Sequence, residues 1–84
     1  MEYTIDCALI ADARQFHRTL AQVLSLPDWY GHNLDGLFDC LTELEAPVHL
    51  VLKNWREDEA FFQGFRSAFQ DAQADNPDFS VQFD

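Results

Sequence analysis

Asp35, Asp39 and Thr42 recur at i, i+4 and i+7 within the stretch Leu26 to Thr42, LPDWYGHNLDGLFDCLT. At helical spacing they share one side of a helix. Two carboxylates placed like this could divide acid and base work between them, as in glycoside hydrolysis. They could instead show negative charge to a partner that brings cations. The first use needs a cleft and a difference in burial that separates the two pKa values. An open helix face supplies neither. The second use fits the local charge, because no Lys or Arg occurs from Thr19 to Leu52. Like charges at i, i+4 cost about 0.2–0.5 kcal/mol, so the pair stands against local stability. A solvated acidic face is the plainest account of such a pair in an arbitrary protein. The adjacent aromatic pair Trp29–Tyr30 shifts the balance towards an interface, where aromatic anchors beside charge are common.

Other chemistry is harder to build from this chain. Cys40 follows Asp39 directly. A thiol nucleophile needs a neighbouring base and a lowered pKa, and acidic neighbours act the other way, so Cys40 reads as a buried thiol. Cys7 and Cys40 make no metal spacing with His17, His32 and His49. A phosphate-binding glycine loop, HExxH and CxxC are all missing. His17 reads as a partly buried packing residue, and His49 as a strand-end histidine with a hydrogen-bond partner. The sequence thus offers no catalytic constellation, no cofactor site and no metal site.

The elements that must hold the acidic pair are legible from periodicity. Pro27, Gly31 and Asn33 mark an irregular loop. Asn33 is a candidate N-cap. Leu34, Leu37, Phe38 and Leu41 then form one apolar helical stripe opposite the aspartates. Upstream, Tyr3, Ile5 and Cys7 alternate with Thr4 and Asp6 as a half-buried first strand. Asp12 and Gln15 resemble a capping box. Ala13, Phe16, Leu20, Val23 and Leu24 continue that helix towards Pro27. Val48, His49, Leu50, Val51 and Leu52 form a short, nearly continuous apolar run, which predicts the central strand of a parallel sheet. Glu57, Asp58 and Glu59 suit the first turn of a third helix. Its stripe is Phe61, Phe62, Phe65, Ala68, Phe69 and Ala72. Gly64 either permits close packing there or marks a break between two shorter helices. Asn76–Pro77 ends the region, and Phe79, Val81 and Phe83 alternate in a last strand. The order β-α-α-β-α-β predicts an α/β fold with helices on one or both faces of a sheet.

Length and charge bound the function. Eighty-four residues predict a single domain over 1–84 with little stability to spare. Fifteen acids against five bases give a formal net charge of −10. That balance argues against nucleic acid and anionic membranes as partners and favours a basic protein. No apolar run reaches the roughly 18 residues of a spanning helix. MEYTID lacks the basic start and apolar core of a signal peptide, so a cytoplasmic location with reduced cysteines is expected.

The run LPDWYGHNLDGLFDCLT strongly resembles the signature of the barstar family, the intracellular inhibitors of the bacterial ribonuclease barnase. The matching pieces are Leu26–Pro27, Tyr30–Gly31, Asn33–Leu34–Asp35, Leu37 and Asp39–Cys40–Leu41–Thr42. The resemblance implies a three-stranded parallel sheet packed with helices, the second strand central. It implies no enzyme but an inhibitor, monomeric when free, whose acidic second helix and preceding loop block the active site of a basic, extracellular-type, barnase-like ribonuclease. Asp39 would take the place of a substrate phosphate, flanked by Asp35 and Thr42. Trp29, where the family often has Tyr, would cover the catalytic region. Tyr30, Gly31, Asn33 and Phe38 complete the implied binding face, with Asp71 where the family can carry Glu. The resemblance also implies a cis Ala46–Pro47 bond. His32 replaces an acidic residue, Phe38 a Trp, and Glu43–Leu44 a Gly–Trp pair. These departures bear on which ribonuclease is the target. The other reading is an acidic binding module of the same fold for a basic partner that is not a ribonuclease.

Overall fold

The computed structural model describes residues 1–84. Strand β1 (Glu2–Asp6) runs through a 3-10 turn (Cys7–Leu9) to helix α1 (Ala13–Val23). Helix α2 (Leu34–Thr42), strand β2 (Val48–Lys53), helix α3 (Ala60–Asp75) and strand β3 (Phe79–Phe83) follow. The strands are parallel and lie in the order β1-β2-β3. This is the α/β order β-α-α-β-α-β, with the apolar run in the centre. No helix is long and apolar enough to cross a membrane.

Register assigns the two faces of the sheet. Leu50 pairs with Tyr3 and Val81, Leu52 with Ile5 and Phe83, and Val48 with Phe79. Successive side chains alternate, so these residues share one face, and Ile5, Leu50, Leu52 and Phe79 are buried there. Thr4, Val51 and Gln82 lie across the other face, where Thr4, Lys53 and Gln82 are exposed. Two right-handed crossovers made in the same direction put every helix on one side. The helices therefore cover one face only. His49 stands on the open face with its Nδ1 2.7 Å from the Ser80 hydroxyl, the hydrogen-bond partner its position implied.

Phenylalanine fills the layer between helices and sheet. Phe16 of α1 is fully buried and stacks on Phe65 of α3 with ring centroids 4.3 Å apart. Phe62, Phe69 and Trp55 surround it at 5.4, 6.2 and 6.3 Å. Each such ring buries a large apolar area, and its tilted contacts add to that burial. Asp12 caps α1 by accepting from the Gln15 amide at 2.8 Å. The Gln15 side chain reaches back to the Ala11 amide at 2.8 Å, one residue further than a capping box requires.

Two local expectations are corrected, and of the two roles open to Gly64 the structure shows close packing. Helix α3 starts at Ala60, so Glu57, Asp58 and Glu59 precede its first turn. Glu57 instead forms an ion pair with Arg66, two to three turns along. Gly64 does not break α3. A Cβ there would lie 2.9 Å from Cδ1 of Leu34, so the glycine makes room for the start of α2. The Ala46–Pro47 bond is trans, like every other peptide bond in the chain. Trans is the cheaper X–Pro isomer by about 0.5–1 kcal/mol. An ordinary extended approach suffices here, since the Pro47 carbonyl accepts from the Met1 ammonium at 2.8 Å and Val48 donates to Asp78 at 2.7 Å.

The chain's buried polar knot is Asn76, 7% exposed. Its amide nitrogen donates to the carbonyls of Leu41 at 2.9 Å and Leu44 at 3.2 Å. Its side-chain oxygen accepts from the Asp78 amide at 2.9 Å. One side chain thus satisfies orphan carbonyls at the end of α2 and shapes the turn into β3. Asn76→Ala should lower the unfolding free energy by about 2–3 kcal/mol, because buried acceptors would lose their donor. Urea denaturation of the two proteins side by side measures this, and an unchanged midpoint would show that the knot is dispensable.

Candidate functional site

Helix α2 is set by its cap. The Asn33 side chain accepts from the Gly36 amide at 2.7 Å, and its own amide donates to the Gly31 carbonyl at 3.3 Å. A Cβ on Gly36 would meet Asn33 Oδ1 at 3.2 Å and Tyr30 Cδ1 at 3.5 Å, so the absent side chain lets the loop fold tightly onto the first turn. Leu37, Cys40 and Leu41 are buried, Phe38 is half-buried, and Leu34 sits at the rim. That burial fixes the rotation of the helix and turns the opposite side outward.

Asp35 and Asp39 are both exposed on that side. The only ion pair in the chain joins Arg66 to Glu57, so neither aspartate has an internal cation. Asp35 lies in the first turn, where the helix dipole favours negative charge. Thr42 is half-buried, and its hydroxyl donates to the Asp39 carbonyl at 3.0 Å. Glu43, exposed at the C-cap, continues the acidic row. Its i+4 spacing from Asp39 was the signal that sequence reasoning passed over.

The aromatic pair divides. Trp29 is 61% exposed, whereas Tyr30 is 5% exposed. Trp29 is free to meet a partner. Tyr30 is bound inward, with its hydroxyl hydrogen-bonded to Nδ1 of buried His17 on α1. Burial raises the Tyr30 pKa, with Cys40 adding to the effect, so the phenol keeps its proton. Burial, and then the neighbouring His32, lowers the His17 pKa. His17 therefore does more than pack. Gly31, His32 and Asn33 are exposed around this anchor.

Asp71 stands apart in sequence, on a helix that packs against α2. Leu34 rests on Gly64, and Leu41 and Leu44 rest on Asn76. Helices α2 and α3 thus pack along one another, and Asp71 is exposed on α3. The structure gathers Trp29, Gly31, Asn33, Asp35, Asp39 and Thr42 on the loop and α2, with Phe38 half covered and Tyr30 beneath. Their arrangement is suited to electrostatic and aromatic contact with a cationic surface.

Known proteins resemble this chain over all or part of its length. Residues 1–84 match the family model described as barstar, the barnase inhibitor. A protein of Bacillus subtilis named "putative ribonuclease inhibitor YrdF" is 41% identical over 64 residues, covering 68% of this chain and 70% of that protein. A 47-residue stretch is 40% identical to the monooxygenase pynD of Aspergillus niger, covering 51% of this chain but 10% of that protein.

Both thiols are buried and unpaired. Burial pushes Cys7 up to about 11 despite the nearby Arg56. Burial raises Cys40 as well, helped by Glu43 and Asp39. Thiolates react and thiols do not. Native protein at pH 8 should therefore label slowly with a disulfide reagent, and both cysteines should label fast in denaturant. Fast labelling of native Cys40 would mean that α2 opens readily.

Proposed function

The chain belongs to the barstar family of barnase inhibitors, and from that premise we propose that it inhibits a barnase-like ribonuclease by presenting α2 and the preceding loop to the enzyme's active site. The observation that carries this reading is the exposed acidic side of α2, which has no internal cation. A ribonuclease must gather Arg, Lys and His to hold phosphates. Carboxylates on a rigid helix are complementary to such a site, and complementarity speeds encounter as well as tightening the complex.

In this proposal Asp39 lies at the centre, in the place of a substrate phosphate. Asp35 and Thr42 flank it, and Trp29 covers the catalytic region. Gly31, Asn33 and Phe38 shape the contact, Asp71 reaches it from α3, and Tyr30 holds the loop from below. The chain performs no reaction of its own and needs no cofactor. Residues 1–84 act as one domain in the cytoplasm. The free protein is monomeric, in keeping with the mutual repulsion of copies that each carry a net charge of −10.

A desolvated charge at the centre of an interface is a hot spot, worth at least about 2 kcal/mol on truncation. Part of that loss comes from cations left unpaired on the partner. Asp39→Ala should therefore weaken binding to a barnase-like ribonuclease by at least about 2 kcal/mol. Thermal stability should stay level or rise slightly, since the Asp35–Asp39 repulsion is relieved. Asp75→Ala, exposed at the end of α3, controls for the general loss of charge and should alter only the on-rate, modestly. Affinity at two salt concentrations and melting of each variant test this. Equal, small effects of the two substitutions would remove the mechanism, and a chain that binds other basic proteins but no ribonuclease would favour the alternative partner.

A further inference from the structure

The loop between Pro27 and Asn33 is tied to itself by Tyr30 donating its amide to Pro27 at 3.0 Å and by the Asn33 contacts. One hydrogen bond alone links it to a distant element, the Tyr30 hydroxyl to His17 of α1. Next to that bond lies a second imidazole. His32 is held at φ 53°, in the left-handed region, and its ring centroid lies 5.0 Å from Tyr30 and 6.4 Å from His17, stacked on the latter. A β-carbon residue in that conformation is uncommon, and the two ring contacts accompany it.

We propose that His17, Tyr30 and His32 form a proton-sensitive latch that holds the inhibitory loop in its binding shape and releases it in mild acid. The inference rests on the proposed inhibitor reading for its biological meaning, and on the free chain alone for its physics.

The hydrogen-bond polarity supplies the mechanism. The latch uses the tautomer with the imidazole proton on Nε2, in which Nδ1 of His17 accepts from the Tyr30 hydroxyl. Adding a proton to Nδ1 sets two donors against each other. The phenol must then turn its hydrogen away inside a buried contact, at the cost of an unmade hydrogen bond. The groups facing His17 give the new charge no relief. The loop offers the Tyr30 hydroxyl and the His32 imidazole. Helix α3 offers the Phe65 ring, with centroids 4.7 Å apart. Helix α2 contributes the Cys40 thiol, which acts on Tyr30. On α1 itself, Arg14 and Arg18 are exposed. Burial is the first cause that lowers the His17 pKa and His32 the second. No carboxylate offsets them.

The sign follows. A histidine whose folded-state pKa is depressed binds fewer protons when folded. Its contribution is complete above the ordinary value of about 6.5 and is lost as pH falls through the folded-state value.

Amide NMR of the free protein from pH 8 to pH 5 tests the latch without any partner. Amides of Trp29 to Asn33 should show a transition in mild acid that the middle of α3 lacks. Set in the His32→Asn background, His17→Asn keeps an acceptor near the Nδ1 position and leaves the loop no imidazole, so it should abolish the transition. His32→Asn tolerates the left-handed backbone and removes one cause of the lowered pKa, so the midpoint should move to higher pH. A flat loop response in the wild type, an unchanged response in the double variant or an unmoved midpoint in His32→Asn would each overturn the proposal. With a barnase-like ribonuclease, wild-type affinity relative to His17→Asn should fall by up to about tenfold per pH unit below the midpoint. Tight binding at pH 7.5 with a pH-independent ratio would defeat the latch and spare the inhibitor reading. A loop transition in a chain that binds no ribonuclease at pH 7.5 would do the reverse.

Discussion

A sheet of three parallel strands with both crossovers in one direction has one face to cover and one layer of helices to cover it. Everything else in this molecule follows from how that face is buried. Ile5, Leu50, Leu52 and Phe79 line it. Phe16, Phe62, Phe65 and Phe69 close over them from α1 and α3. With so few strands, bulky rings are the economical way to keep water out, since each buries far more area than an aliphatic side chain. The open face stays polar and carries the His49–Ser80 contact.

Helix α2 is the thin part of that cover. Its nine residues are fewer than an isolated helix needs in water, and two of them are unpaired acids on one side. The helix persists because other elements hold it. Asn33 satisfies its first turn and Asn76 its last carbonyls. Gly64 lets Leu34 settle on α3, and Leu37 and Leu41 are fully buried. Packing energy thus stabilises a charge pattern that the helix alone would disfavour. In the proposed function this side is a binding surface, a place where local rules are commonly broken.

The loop before α2 shows the same division between support and display. Trp29 and Tyr30 are neighbours in sequence, yet one faces out and the other is locked beneath. The inward ring, through His17, gives the outward ring and the cap a fixed base. A loop anchored this way pays less entropy on binding than a free one.

Much of this was legible in the sequence. The Asn33 cap, the acidic and apolar sides of α2, the three strands and the central place of Val48–Leu52 all leave marks at spacings of two, three or four residues. Those marks exist because side-chain direction repeats with the backbone. The side of the sheet that the helices cover, the inward turn of Tyr30, the pairing of Glu57 with Arg66 rather than with a helix N-terminus, and the trans Ala46–Pro47 bond were decided in three dimensions. So was the task of Asn76, which read only as the end of a helix. Each of these depends on a partner at least nine residues away or on the chirality of a crossover. No local periodicity records which distant group will arrive to satisfy a buried donor, and only the packed chain brings it there.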